Sequence, residues 1–153
     1  MDGYFATSDS LARLAAQDDP FDGALGAANL TEVIGFLDDA DEANRDWAAF
    51  TLALSGPDTK LVHDALLRAA DDEAEIVRAE AIWGLAQRDK ARALPLIRRE
   101  LQSDSVTIPL LEAAELVADA SLAELLEPIT TPSADKFLDD TALAAFRACK
   151  AAS

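Results

Sequence analysis

NRDWAAFTLA, Asn44–Ala53, and VRAEAIWGLA, Val77–Ala86, are two copies of one helix. Laid over each other at a spacing of 33 residues, they place Arg45 on Arg78, Ala48 on Ala81, Leu52 on Leu85 and Ala53 on Ala86. A unit this short cannot bury its own apolar face. Copies must therefore stack, and the expected product is a curved solenoid whose outer surface is what other molecules meet.

The stretch between the two copies recurs as well, at a spacing of 32. Leu30 aligns with Val62 and Leu94, Val33 with Ala65 and Ile97, and Leu37 with Ala69 and Leu101. Within each triplet set the residues stand at i, i+3 and i+7, which puts one apolar stripe on one side of a helix. Each unit thus reads as a first and a second helix. Asp38, Asp71 and Asp104 precede successive first helices and are expected to cap them, and Asp72 with Glu75 has capping-box spacing. The patterns predict helices near Ser8–Gln17, Leu30–Asp38, Glu42–Ser55, Asp58–Ala70, Glu73–Arg88, Lys90–Gln102, Val106–Ala118, Ser121–Glu127 and Asp139–Ala151. Gly56–Pro57 and Pro128–Pro132 mark the clearest breaks, and Pro109 is expected in a first turn, where its missing N–H has no partner to lose.

A first helix of the form V-R-x-x-A-x-x-x-L-A/G, Asp-rich turns and a second helix containing RALPLI, Arg92–Ile97, resemble HEAT repeats. The likeness is in particular to the short bacterial HEAT-like repeats also found in phycobilisome lyase subunits. It covers about Leu30–Leu126. The third copy departs from the pattern, with Leu110 and Leu111 in place of Val-Arg, although Ala114 keeps its spacing from Ala81. The resemblance implies an all-α fold, a right-handed α-α superhelix of about four helix pairs. It implies one domain over residues 1–153, with the best repeats at 30–126 and capping segments at 1–29 and 135–153. It implies a scaffold for binding and no reaction.

Charge narrows the choice of partner. The chain carries 29 acidic against 13 basic residues, a net charge of -16. Such a field repels phosphate backbones, so nucleic acid is disfavoured. The densest basic cluster, Arg88, Lys90, Arg92, Arg98 and Arg99, is confined to one repeat and interrupted by Asp89 and Glu100. Acidity serves solubility alone in many proteins. Directed acidity would instead suit a basic protein partner, with Asp38, Asp39, Asp41 and Glu42, then Asp71, Asp72, Glu73 and Glu75, as ridges along one edge.

Reaction chemistry finds little to work with. One histidine, His63, and one cysteine, Cys149, leave no His-rich metal set and no conventional nucleophile system, and no cofactor or metal is expected. Gly23 and Gly26 lack the preceding strand that a nucleotide fingerprint needs. With 29 carboxylates, any adjacent pair is expected by chance. Cys149 shares an apolar pattern with Leu143 and Phe146 and is expected to be buried. No apolar run reaches the length of a membrane span, and MDGYFATSD lacks the regions of a secretory signal, so a cytoplasmic location is expected.

Phe50 and Trp83 hold the same position in successive first helices, and Trp47 lies three residues before Phe50. All three fall away from the Ala48–Leu52 stripe. They would form either an aromatic patch for a partner or part of the packing between repeats. On the second helices, Glu32, Phe36, His63, Arg68, Arg92 and Arg99 are the corresponding candidates. The resemblance and the charge together favour a non-enzymatic interaction module. A bacterial accessory or immunity-type inhibitor that masks a basic protein is the finer reading. An adaptor or chromophore-lyase-like subunit is the alternative, and a nucleic-acid-binding repeat comes third.

Overall fold

In the computed structural model, which describes residues 4–152, every regular element among the described residues is helical. The α-helices are α1 (Asp9–Ala15), α2 (Gly26–Phe36), α3 (Glu42–Ser55), α4 (Lys60–Ala69), α5 (Glu75–Ala86), α6 (Lys90–Gln102), α7 (Ile108–Val117), α8 (Ala123–Leu126) and α9 (Lys136–Ala151). Short polar side chains start most of them. Ser8, Asp41, Thr59, Asp89, Thr107 and Asp135 each accept from a backbone amide of the first turn, satisfying a donor that the helix itself leaves free.

The expected bounds of α3 and α6 match to the residue. Elsewhere the ends move. α2 begins at Gly26, four residues before the apolar stripe, and α9 begins at Lys136 because Asp135 caps it. The helix expected over Ser121–Glu127 breaks into a 3-10 turn, the four-residue α8 and a second 3-10 turn ending at Thr130; Pro128, which has no N–H to give, sits in that last turn. Pro109 lies in the first turn of α7, as the sequence requires. That helix ends on Ala118 in the left-handed region, with φ 49°.

Contacts gather the chain into two units, residues 1–84 and 85–153, with the division inside α5. In the first, α1 packs on α2 and α3, α2 on α3, and α3 on α4. The repeat stripes form its core. Val33, Ala48, Leu52, Ala53, Val62, Ala81 and Ile82 are fully buried, together with Leu11 from α1. Small residues let the helices approach closely, and Gly84 shows how closely: a Cβ there would lie 2.9 Å from Ala53 Cβ and 3.0 Å from Leu66 Cδ1. Ala53 has no flexible end that could yield. Gly84→Ala gains about 1 kcal/mol in helix propensity and loses about 2 kcal/mol to overpacking. We expect a net loss of about 1 kcal/mol, read as a lower urea midpoint with an unchanged slope.

In the second unit α7 packs on α6 and α9, and α8 contacts both α6 and α9. Its core contains Ile97, Leu110, Leu111, Ala114, Leu122, Leu126 and Ala145. Leu111 is the residue that replaces the repeat arginine, and it is fully buried, so an apolar side chain stands where Arg45 places a buried guanidinium. Cys149 is buried too. Its thiol donates to the Ala114 carbonyl at 3.5 Å, and burial pushes its pKa upward.

Candidate protein-interaction surface

The first unit is built around the repeat arginines. Arg45 Nη1 donates to the carbonyls of Asp39 and Ala40 at 3.0 and 3.3 Å, closing the turn before its own helix. Its Nε and Nη2 reach the carboxylate of Asp72 at 2.9 and 3.3 Å, and Nη2 also meets Glu73 Oε1 at 3.4 Å. Arg78 repeats the first half of this pattern on the carbonyls of Asp72 and Glu73, at 3.0 and 3.1 Å. The turn acids are thus Asp39 and Asp72. Asp39 Oδ1 accepts from the Asp41 amide and Asp72 Oδ1 from the Ala74 amide, each at 2.8 Å. The structure gives their neighbours other places: Asp38 pairs with Arg68, and Asp104 takes a left-handed conformation with φ 60°.

With Arg45 drawn into the turn, the other side of α3 carries aromatics. Trp47 and Phe50 meet edge to face, with centroids 5.7 Å apart, and Phe50 lies parallel to Trp83 of α5 at 6.3 Å. The three rings make one half-buried row. Leu54, one turn beyond Phe50, is 57% exposed, and Phe5, beside Trp47, is 68% exposed. The segment before α1 is tied down next to this row. Thr7 and Ser8 amides donate to Asn44 Oδ1 at 2.9 and 3.1 Å, and the Thr7 hydroxyl donates to Asp41 at 2.6 Å, which lowers the pKa of that carboxyl.

Asp46 is the residue that sequence reasoning missed. It is 2% exposed, the Tyr4 hydroxyl lies near its carboxyl, and Oδ1 has no partner among the described residues. Burial pushes its pKa up to about 6, opposed by the nearby Tyr4 hydroxyl and helped by the charge of Glu42. The repeat alignment gives no warning of it, since Ala79 holds the equivalent position. The indole Nε1 of Trp47 is likewise buried and unpartnered.

Of the other candidates in this unit, Glu32 on α2 is exposed and Phe36 half-buried. On α4, His63 bonds through Nε2 to Asp58, and Arg68 pairs with Asp38 at 3.6 Å. Both stand on α4, whereas the aromatic row stands on α3 and α5, so the candidates fall into two groups, one on second helices and one on first helices. In the second unit Arg92 pairs with Asp89 at 3.3 Å, Arg99 with the buried Glu100 at 3.1 Å, and Arg98 with the Ser121 hydroxyl. The basic cluster is therefore spent largely on local partners.

Among the described residues no group of three or more His, Cys, Asp or Glu is arranged to hold a metal ion, and no helix is long and apolar enough to cross a membrane. Helix pairs with an arginine-clamped turn and an alanine-lined core are consistent with the HEAT-repeat class. The family's profile matches residues 30–118, and the chain belongs to the HEAT-repeat family. Among known proteins it is similar to YibA of Escherichia coli, from strains K12 and O157:H7, with 32% identity over 100 residues. That match takes in 65% of this chain but 36% of the relative, so the chain spans about a third of the length of the proteins it matches. The X-ray structure of Escherichia coli YibA superposes with a TM-score of 0.60 at 28% identity, covering 78% of this chain and 44% of that one.

Proposed function

We propose that this chain is a protein-binding module whose contact surface is the aromatic row of α3 and α5, and that its partner is basic. The family supports the general statement, since HEAT repeats mediate protein interactions. The row supports the particular one. Trp47, Phe50 and Trp83 form a contiguous, partly exposed set, and side chains of this type anchor interfaces out of proportion to their number. A net charge of -16 would speed encounter with a cationic surface and discourage acidic competitors. Masking a basic enzyme is the form of binding that suits a small chain without evident catalytic groups.

The test is affinity capture from native lysate with three baits: the wild type, Phe50→Ser with Trp83→Ser, and Arg92→Glu with Arg99→Glu. We expect one stoichiometric basic protein on the wild type, released by salt. The aromatic variant should lose at least about tenfold in affinity and the charge variant should retain it. Equal capture by the aromatic variant would rule out this surface.

A further inference from the structure

A pocket of about 180 Å³ opens beside the aromatic row, lined by Phe5, Ala6, Ala12, Ala15, Ala16 and Trp47. It arises because α1 presents only alanines toward α3 at this point, while Phe5 and Trp47 stand up as walls. A cavity of roughly 150 Å³ suffices for benzene, so this one admits a leucine or phenylalanine side chain. Its wall is almost wholly apolar. A charged group seated there would meet almost no polar partner in that wall.

Carboxylates stand close by. The hydroxyl of Thr7, the residue after Ala6, donates to Asp41, and Asp9 and Glu42 open α1 and α3, whereas the cations of both helices are directed elsewhere. Arg13 lines a separate depression with Gln17, Asp22 and Asn29, and Arg45 is drawn into the turn toward Asp72. An apolar hole in an acidic surround selects a segment that offers one large apolar side chain flanked by lysine or arginine. Trp47 joins the two features, as wall of the pocket and first ring of the row.

We propose that this pocket receives a single leucine or phenylalanine side chain from a cationic amphipathic segment of the partner, with Phe5 and Trp47 closing over it. The inference rests on the interaction reading above. It adds which chemical group is bound and where.

The probe is a helical peptide of leucine and lysine, titrated into the full chain at low salt with tryptophan emission as the readout. Two companion peptides carry alanine for leucine or glutamate for lysine. The leucine–lysine peptide should bind saturably; the alanine companion should be weaker by about tenfold or more, the loss that truncating one buried aliphatic group produces, and the glutamate companion weaker because it sets like charge against a chain of net charge -16. Ala15→Leu, which fills the pocket from α1, should weaken the leucine–lysine peptide by a similar factor and leave the weak binding of the alanine–lysine peptide unchanged. If that variant melts early, Ala12→Ser, which makes the wall polar, takes its place with the same expectation. Wild-type affinity in the filled variant, or equal affinity for alanine and leucine peptides, would overturn the pocket while leaving the aromatic row standing. Failure of every peptide to bind would overturn both.

Discussion

Arg45→Ala should destabilise the protein by about 3 kcal/mol, the largest loss expected from any single polar substitution in the first unit. The Arg45 side chain is 9% exposed and that of Asp72 11%, so the pair is largely shielded from water. Removing the guanidinium does more than delete five donor contacts. It leaves the Asp72 carboxylate with the Ala74 amide but no cation, and strips the carbonyls of Asp39 and Ala40 of a donor. Breaking one side of a buried pair costs about 3–5 kcal/mol because the surviving charge stays desolvated. Arg45→Lys should recover little, since one ammonium cannot serve a carboxylate and two carbonyls in the geometry of a planar fork. Denaturation of Arg45→Ala, Asp72→Ala and the double variant checks the idea. The double variant should be less damaged than the sum of the singles, and strict additivity would mean that the two side chains act independently.

Asp46 is expected to make the wild type lose stability as pH rises from about 4 to about 6. The sign follows from proton binding. In the unfolded chain the carboxyl titrates near 3.9, and in the fold near 6, so between these values the folded state holds the extra proton. Below that window both states are protonated and no penalty exists. Above it, the fold must keep a charge that its surroundings oppose. Two pH units correspond to about 3 kcal/mol as an upper bound. Asp46→Asn removes the charge but buries an amide with one donor unsatisfied, which returns about 1 kcal/mol. The variant should therefore exceed the wild type by about 1–2 kcal/mol at pH 7 and fall level with it or below it at pH 4. Comparing the two curves isolates this residue from Asp41, Asp119 and Asp139, whose lowered pKa values act in the opposite direction. Parallel curves would show that Asp46 is ionised without cost.

The repeat made the frame of this molecule legible. Ala48, Leu52 and Ala53 could be placed in the core because their partners 33 residues on share their chemistry, and only a shared environment preserves such a match. Spacing also has a blind spot. Asp38 and Asp71 stand as far apart as Asp39 and Asp72, so periodicity could not decide which pair closes the turns. Geometry decided it, since Asp39 and Asp72 each accept from an amide two residues on. Trp47, Phe50 and Trp83 were foreseeable as neighbours from their offsets of three and 33. Whether they would stay partly open depended on how α1 and the segment before it pack, and that segment has no counterpart elsewhere in the chain. The same holds for Asp46, whose partner Tyr4 belongs to a stretch outside the repeat, and for the alanine-lined pocket beside Trp47.

Arg45 grips the turn before its own helix with one nitrogen and the turn before the next helix with two others. One side chain thereby measures the distance between consecutive turns. Insertion or loss of a single residue between Asp39 and Asp72 would put the second grip out of reach. Removal of a complete helix pair would keep the first grip, since Arg78 holds the carbonyls of Asp72 and Glu73 as Arg45 holds those of Asp39 and Ala40. In the history of such a chain, length is therefore free to change in whole pairs and resistant to change by single residues.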